Sequence, residues 1–192
     1  MKLSQLVRDF EDTYLDLWNG TSWTPDAIKG VFQVYDRFIT ERTFGVKKRI
    51  FLTSYDPLDT DEIVRTPDGV VCLLEAATPD YENDVRVRCS MLLRETNATV
   101  VVTHHVPVTN ASGVATGQAS TVSTTTWGDI GRYNSNQSPE FSGIYHETDI
   151  LTLPRSFALS LSSNLTVNGI SYKVGELDNL LRLREARVRR AA

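Results

Sequence analysis

The chain is poor in the residues that most often carry chemistry. Among 192 residues it has two cysteines and three histidines, too few cysteines for the disulfide framework of a small secreted domain. Cys72 and Cys89 each lie in an apolar segment, where a thiol acts as a small hydrophobe, so both are expected to be buried and reduced. Long hydrophobic runs are missing too. Met1–Trp18 is broken by Arg8, Asp9, Glu11, Asp12 and Asp16, which argues against a signal peptide or a spanning helix, and no membrane role is expected. The Gly-rich phosphate loops and the G-x-S-x-G nucleophile elbow do not occur.

What chemistry is present does not converge. His104 and His105 are neighbours, so on a strand they point to opposite faces and cannot share a metal. His146-Glu147 lacks the second histidine of a helical zinc motif. Asp56, Asp59, Asp61 and Glu62 lack the spacing of a calcium loop and read as a solvated turn. Asp129 and Glu147 are carboxylates without a specific setting. The glycosylation sequons at Asn19, Asn97, Asn110 and Asn164 carry little weight in a chain without a secretion signal. No catalytic, metal or cofactor residue is assigned, and the protein is expected not to be an enzyme.

The composition, 41% hydrophobic and 23% charged, is that of an ordinary globular domain. Its net charge of -4 is unevenly spread. Arg182, Arg184, Arg187, Arg189 and Arg190 with Glu185 carry +4, which leaves -8 on the rest. A basic tail on an acidic body suits an acidic protein surface better than a phosphate backbone, which the body repels.

Residues Leu3, Leu6, Val7, Phe10, Tyr14, Leu17 and Trp18 have helical spacing, and Asn19-Gly20 supplies a stop. Thr24-Pro25-Asp26 resembles a helix start ahead of Ile28–Ile39, although Gly30 and the β-rich run Val31–Thr43 also suit paired strands. From Lys48 the texture is β. Ile63–Thr66, Pro67-Asp68-Gly69 and Val70–Glu75 spell a hairpin, and Asn168-Gly169 between Leu165–Val167 and Ile170–Val174 spells another. Strands are also expected over Arg49–Tyr55, Val85–Arg94, Ala98–Val106, Thr121–Trp127, Phe141–Leu153 and Leu177–Val188. Residues 107–120 and 129–140 read as long surface loops. No internal repeat is evident. The expected fold is therefore α+β: an N-terminal helical segment over 1–47, then a predominantly antiparallel domain over 48–192, a partly closed β-barrel or sandwich. Trp18, Trp23 and Trp127 flank turns, where aromatic side chains either anchor a partner or plug the domain's own core, and with the five arginines they form the candidate partner interface.

Three stretches resemble a known group. Val64-Arg-Thr-Pro-Asp-Gly-Val-Val-Cys-Leu-Leu-Glu75 resembles the hairpin of tailed-bacteriophage virion proteins of the head–tail neck, and Val87-Arg-Cys-Ser-Met-Leu-Leu-Arg-Glu95 resembles the strand that follows it. Phe141–Tyr145, Leu151–Pro154 and Leu165–Val174 are similar to the β-module of head-closure, collar and joining proteins. The resemblance covers residues 48–190; Met1–Phe44 matches nothing in that group. It implies a homo-oligomeric ring, hexameric or dodecameric, at the head–tail junction of a virion, made in the host cytoplasm. Its neighbours would be a portal or adaptor protein above and a tail terminator or tube protein below, with genomic DNA passing through the channel. A tail terminator or a tail-tube or baseplate initiator is the alternative within this group. A carbohydrate- or receptor-binding β-domain is the rival outside it, suggested by Trp23, Trp127 and Tyr133 near loops.

Overall fold

The computed structural model describes residues 13–33, 47–54, 63–132, 149–161, 163–180 and 182–191. They form twelve strands: β1 (Thr13–Trp18), β2 (Trp23–Gln33), β3 (Lys48–Thr53), β4 (Ile63–Arg65), β5 (Val71–Glu82), β6 (Val85–Glu95), β7 (Ala98–Thr109), β8 (Ala115–Arg132), β9 (Asp149–Pro154), β10 (Asn164–Val167), β11 (Ile170–Asn179) and β12 (Leu183–Arg190). There is no helix among the described residues.

The α+β expectation is therefore corrected to all-β. Thr13–Trp18, the end of the expected first helix, is β1, and residues 1–12 lie outside the described part. The expected second helix is β2 as far as Gln33; residues 34–46 also lie outside. The physical reason is visible in β2. Ile28, Gly30 and Phe32 satisfy an alternating period as well as they approach a helical one, and Gly30 disfavours a helix interior. Tertiary packing then decides. A Cβ on Gly30 would stand 2.2 Å from the Leu52 carbonyl oxygen and 2.6 Å from the Phe51 ring, so glycine lets β2 cross close over β3. The supposed helix start at Thr24-Pro25-Asp26 is a β-bulge: the β1–β2 register shifts between Leu15 and Leu17, Asp26 takes φ 50°, and Asp16 Oδ1 accepts the Asp26 N–H at 3.1 Å.

β1 to β6 close into one barrel in the order β1-β2-β3-β6-β5-β4, and β7 to β12 close into a second in the order β7-β8-β9-β12-β11-β10. Position for position the two orders are the same. The partly closed barrel or sandwich expected from sequence is thus two closed barrels, whose antiparallel ladders satisfy edges that an open sheet would leave exposed. The repetition reaches single residues. Gly128, on the second strand of the second barrel, corresponds to Gly30, and a Cβ there would stand 2.9 Å from the Thr152 carbonyl oxygen and 2.9 Å from the Leu153 side chain.

Each barrel has its own core. Leu15, Ile28, Phe51, Val64, Cys72, Leu74, Cys89, Met91 and Leu93 fill the first, and both cysteines are buried thiols. Ala98, Val100, Val102, Leu151, Leu153, Leu165, Val167, Tyr172, Val174, Ala186 and Val188 are among those filling the second. Burial pushes the Cys72 thiol up to about 12, so it is unreactive at neutral pH. The two predicted turns are in place: Gly69 N–H donates to the Thr66 carbonyl at 2.8 Å, and Asn168 and Gly169 both take positive φ, 48° and 81°.

Candidate assembly interface

The three tryptophans predicted at the partner interface meet one another. Trp18 ends β1, Trp23 begins β2 opposite it, and Trp127 lies on β8 of the other barrel. Their ring centroids are 5.0 to 5.3 Å apart, with the Trp18–Trp127 pair edge-to-face at 85°. Ile63, Leu73 and Leu183 pack under them, so this cluster is a small third core between the barrels. Arg65 lies over Trp23 at 4.7 Å and is fixed there by Asp16, which accepts from Arg65 Nε at 2.9 Å and Nη2 at 2.6 Å. These bonds, with the Asp26 N–H, hold the Asp16 carboxyl below its ordinary range. A cleft of about 720 Å³ opens beside this pair, lined by Thr13, Tyr14, Asp16, Asp26, Arg65 and Thr66 among others.

A partly buried chain of charges runs alongside. Lys48 Nζ donates to Glu75 Oε1 at 2.7 Å, Arg94 Nε lies 3.3 Å from Glu75 Oε2, and Arg94 Nη1 donates to Thr152 Oγ1 at 2.7 Å while standing 3.7 Å from Asp129. Lys48, Glu75 and Arg94 belong to the first barrel, Asp129 and Thr152 to the second. Burial holds the Asp129 carboxyl above its ordinary range against the pull of Arg94. None of these residues was singled out as an interface residue from sequence. The legible signal was Arg94 at the end of the apolar run Met91-Leu92-Leu93, a charge where the strand is otherwise buried. The linker between barrels is only Thr96-Asn97, and Asn97 is locked to Ile130 by two hydrogen bonds, at 2.9 and 2.8 Å.

The five arginines have different surroundings. Arg184 donates from Nη1 to the Phe157 carbonyl at 3.0 Å and from Nε to Asn179 at 2.9 Å. The Arg182 carbonyl accepts the Arg155 N–H at 3.2 Å. Arg187 pairs with Glu176 at 2.9 Å on the outer face. Arg189 stands directly opposite Lys173, and Arg190 opposite Tyr172.

Residues 107–120, expected as a loop, are a hairpin. β7 and β8 pair from Ala98↔Gly128 out to Thr109↔Ala115, with a register shift between Pro107 and Thr109 opposite Gly117, which takes φ 75°, and Asn110–Val114 forms the turn. Valine and threonine carry the strand tendency that the small residues concealed. Asn110 shapes the turn by accepting the N–H groups of Ser112 and Val114 at 3.0 and 2.9 Å. Among the described residues β10 reaches β7 only over Val100–Thr103, and β9 reaches β8 only over Asp129–Arg132. Among the described residues the arm of this hairpin beyond His104 and Val122 therefore pairs with no third strand, over roughly 20 Å at strand spacing. Between Thr96 and Gly128 the sequence has no Asp, Glu, Lys or Arg, and Val114 and Val122 are exposed on the arm. The second expected loop, 129–140, begins as the end of β8, and residues 133–148 lie outside the described part, with Tyr133, His146 and Glu147.

Among the described residues no group of His, Cys, Asp and Glu is placed to hold a metal ion. No protein-family model, curated protein or solved structure matches the chain.

Proposed function

We propose that the protein is a structural virion component of a tailed bacteriophage, a subunit of a homo-oligomeric ring in the neck between the portal and the tail. The observation that carries this is the uncharged β7–β8 arm. Proteins that stay monomeric protect projecting strands with lysine, proline or inward charge. Pro107 and the neighbouring register shift interrupt this arm, and it has no charged gatekeeper. An arm of threonine, serine, valine and alanine loses little on desolvation and adds strands readily to a neighbouring sheet. The rigid pairing of two barrels, through tryptophans and buried charge, supplies the fixed angle between subunit ends that a closed ring needs. The resemblance over residues 48–190 supports the neck as the place. A tail terminator or tube initiator has the same requirements and differs only in position along the particle.

The test is location. Gold-labelled antibody against the chain, applied to purified particles from a lysate of the host that carries the gene, is expected to mark the head–tail junction. Label on tail tips moves the protein to the baseplate. Particles that lack the chain altogether contradict a virion role.

A glycan- or receptor-binding domain draws on the cleft beside Tyr14 and Asp26. It is the weaker reading, because Trp23 and Trp127 pack on one another and on Trp18, while Arg65 covers Trp23. Ring faces so occupied are poor platforms for a sugar.

A further inference from the structure

Lys173 and Arg189 form a cross-strand pair on the outer face of the second barrel, both exposed. Two like charges directly opposite each other on a sheet weaken it. The same row continues into Asn164 of β10, which brings no acid. Glu176, the nearest acid on β11, pairs with Arg187. Among the described residues no acid stands directly opposite this pair, and the nearest on β9 is Asp149, opposite the adjoining Val188.

The complementary feature is on the first barrel. The β5–β6 hairpin outruns its neighbours: among the described residues β4 meets β5 only over Val71–Leu73, and β3 meets β6 only over Cys89–Arg94. Its tip is Tyr81-Glu82-Asn83-Asp84-Val85, with Tyr81 64% and Val85 65% exposed. Glu82 and Asp84 are also exposed. The tip is therefore anionic and apolar at once, the composition of a protein-docking knob.

Both features lie on strands that start at the junction between the barrels and lead away from it. β5 starts at the junction, with Val71 and Leu73 in the tryptophan cluster, and β12 starts there with Leu183. Strands of small barrels are strongly tilted and wind around them. Nine residues from Leu73 to Glu82, and six from Leu183 to Arg189, carry each strand roughly 30 and 20 Å to the side of its own barrel away from the junction. The acidic knob and the cationic pair thus each lie well along a strand that leads away from the junction.

We propose that the β5–β6 tip of one copy docks on the Lys173–Arg189 face of the next copy, with Glu82 and Asp84 against the two cations and Tyr81 and Val85 as the apolar anchor. The contact is head-to-tail, the type that closes into a ring when its rotation permits. It rests on the ring reading but does not depend on the neck as its location.

The experiment uses the purified full chain in sedimentation velocity. Assembly is expected to weaken by about tenfold or more as salt rises from about 0.05 to 0.5 M, since exposed pairs are screened. Glu82→Lys with Asp84→Lys is expected to give monomers, as is Lys173→Glu with Arg189→Glu. Combining all four reversals in one chain restores assembly. Arg189→Glu alone turns the like pair into an opposite one, so it raises the melting temperature of the fold while weakening assembly. That combination separates an interface from simple misfolding. Assembly unchanged by either reversal set overturns the proposal and leaves a ring built by other contacts. A wild-type chain that stays monomeric, yet binds duplex DNA through Lys173 and Arg189, also overturns it and reassigns the cations to nucleic acid.

Discussion

Arg94, on the last strand of the first barrel, donates a 2.7 Å hydrogen bond to Thr152 on the third strand of the second, and both side chains are buried. With Asp129 3.7 Å from the same guanidinium nitrogen, this contact makes Arg94 the polar hinge pin of the two-barrel body. Arg94→Ala leaves Asp129 buried without its cation, and urea unfolding is expected to show a loss of about 3 kcal/mol or more. Arg94→Met with Asp129→Leu removes both charges and recovers most of that loss. A single variant as stable as wild type would mean the barrels are held by the tryptophans alone.

The buried carboxyl also sets a pH dependence. Because its folded-state pKa is raised, Asp129 favours folding below the ordinary carboxylate value, about 4, and that contribution is lost as pH rises through the folded value. Asp16 and Asp68 act oppositely. Hydrogen bonds from Arg65 to Asp16, and from Thr66 and Arg49 to Asp68, depress their pKa values, so their contribution is present above the ordinary value and is lost on acidification. Asp129→Asn is therefore expected to improve in stability relative to wild type as pH rises from about 4 through the weakly acidic range. Urea melts at several pH values check this, and parallel profiles for the two chains would contradict it.

Gly30 and Gly128 are equivalent points of the two barrels, and each excludes a side chain. Gly30→Ala places Cβ against the Leu52 carbonyl and the Phe51 ring, and Gly128→Ala against the Thr152 carbonyl and Leu153. Each is expected to cost about 2 kcal/mol or more, as overpacking does. Gly175→Ala is the control: its Cβ would meet only the Arg187 carbonyl, at 3.5 Å, and a change below about 1 kcal/mol is expected. Thermal melts of the three variants decide whether the glycines are required by barrel closure.

Much of this architecture could be read from the residues, and the misses have physical causes. Asn168-Gly169 and Pro67-Asp68-Gly69 fixed two hairpins because their turns demand particular backbone angles, a local property. Ile28–Phe32 misled because its apolar positions serve two periods and only the packing of Gly30 on Phe51 chooses between them. Residues 107–120 misled because small side chains look like loop when no core contact is visible. The duplicated barrel left no trace because topology is set by pairing between distant strands, such as β3 with β6, and the same pairing tolerates unrelated side chains. The tryptophans stand out in the sequence as separate residues near turns; their meeting in one core depends on how two barrels dock. Arg94 and Asp129 were missed for the same reason, since neither strand alone shows that the other supplies the counter-charge.

The most direct test of the central claim, that this chain is built to assemble, is its mass in solution by light scattering with negative-stain imaging. The wild-type chain is measured beside a variant whose arm, residues 105–121, is replaced by a two-residue Asn-Gly turn. The account predicts a discrete ring with a central opening for the wild type, and a monomer with unchanged β-sheet circular dichroism for the shortened chain. A wild-type chain that is monomeric at every concentration, or rings that persist without the arm, would contradict it.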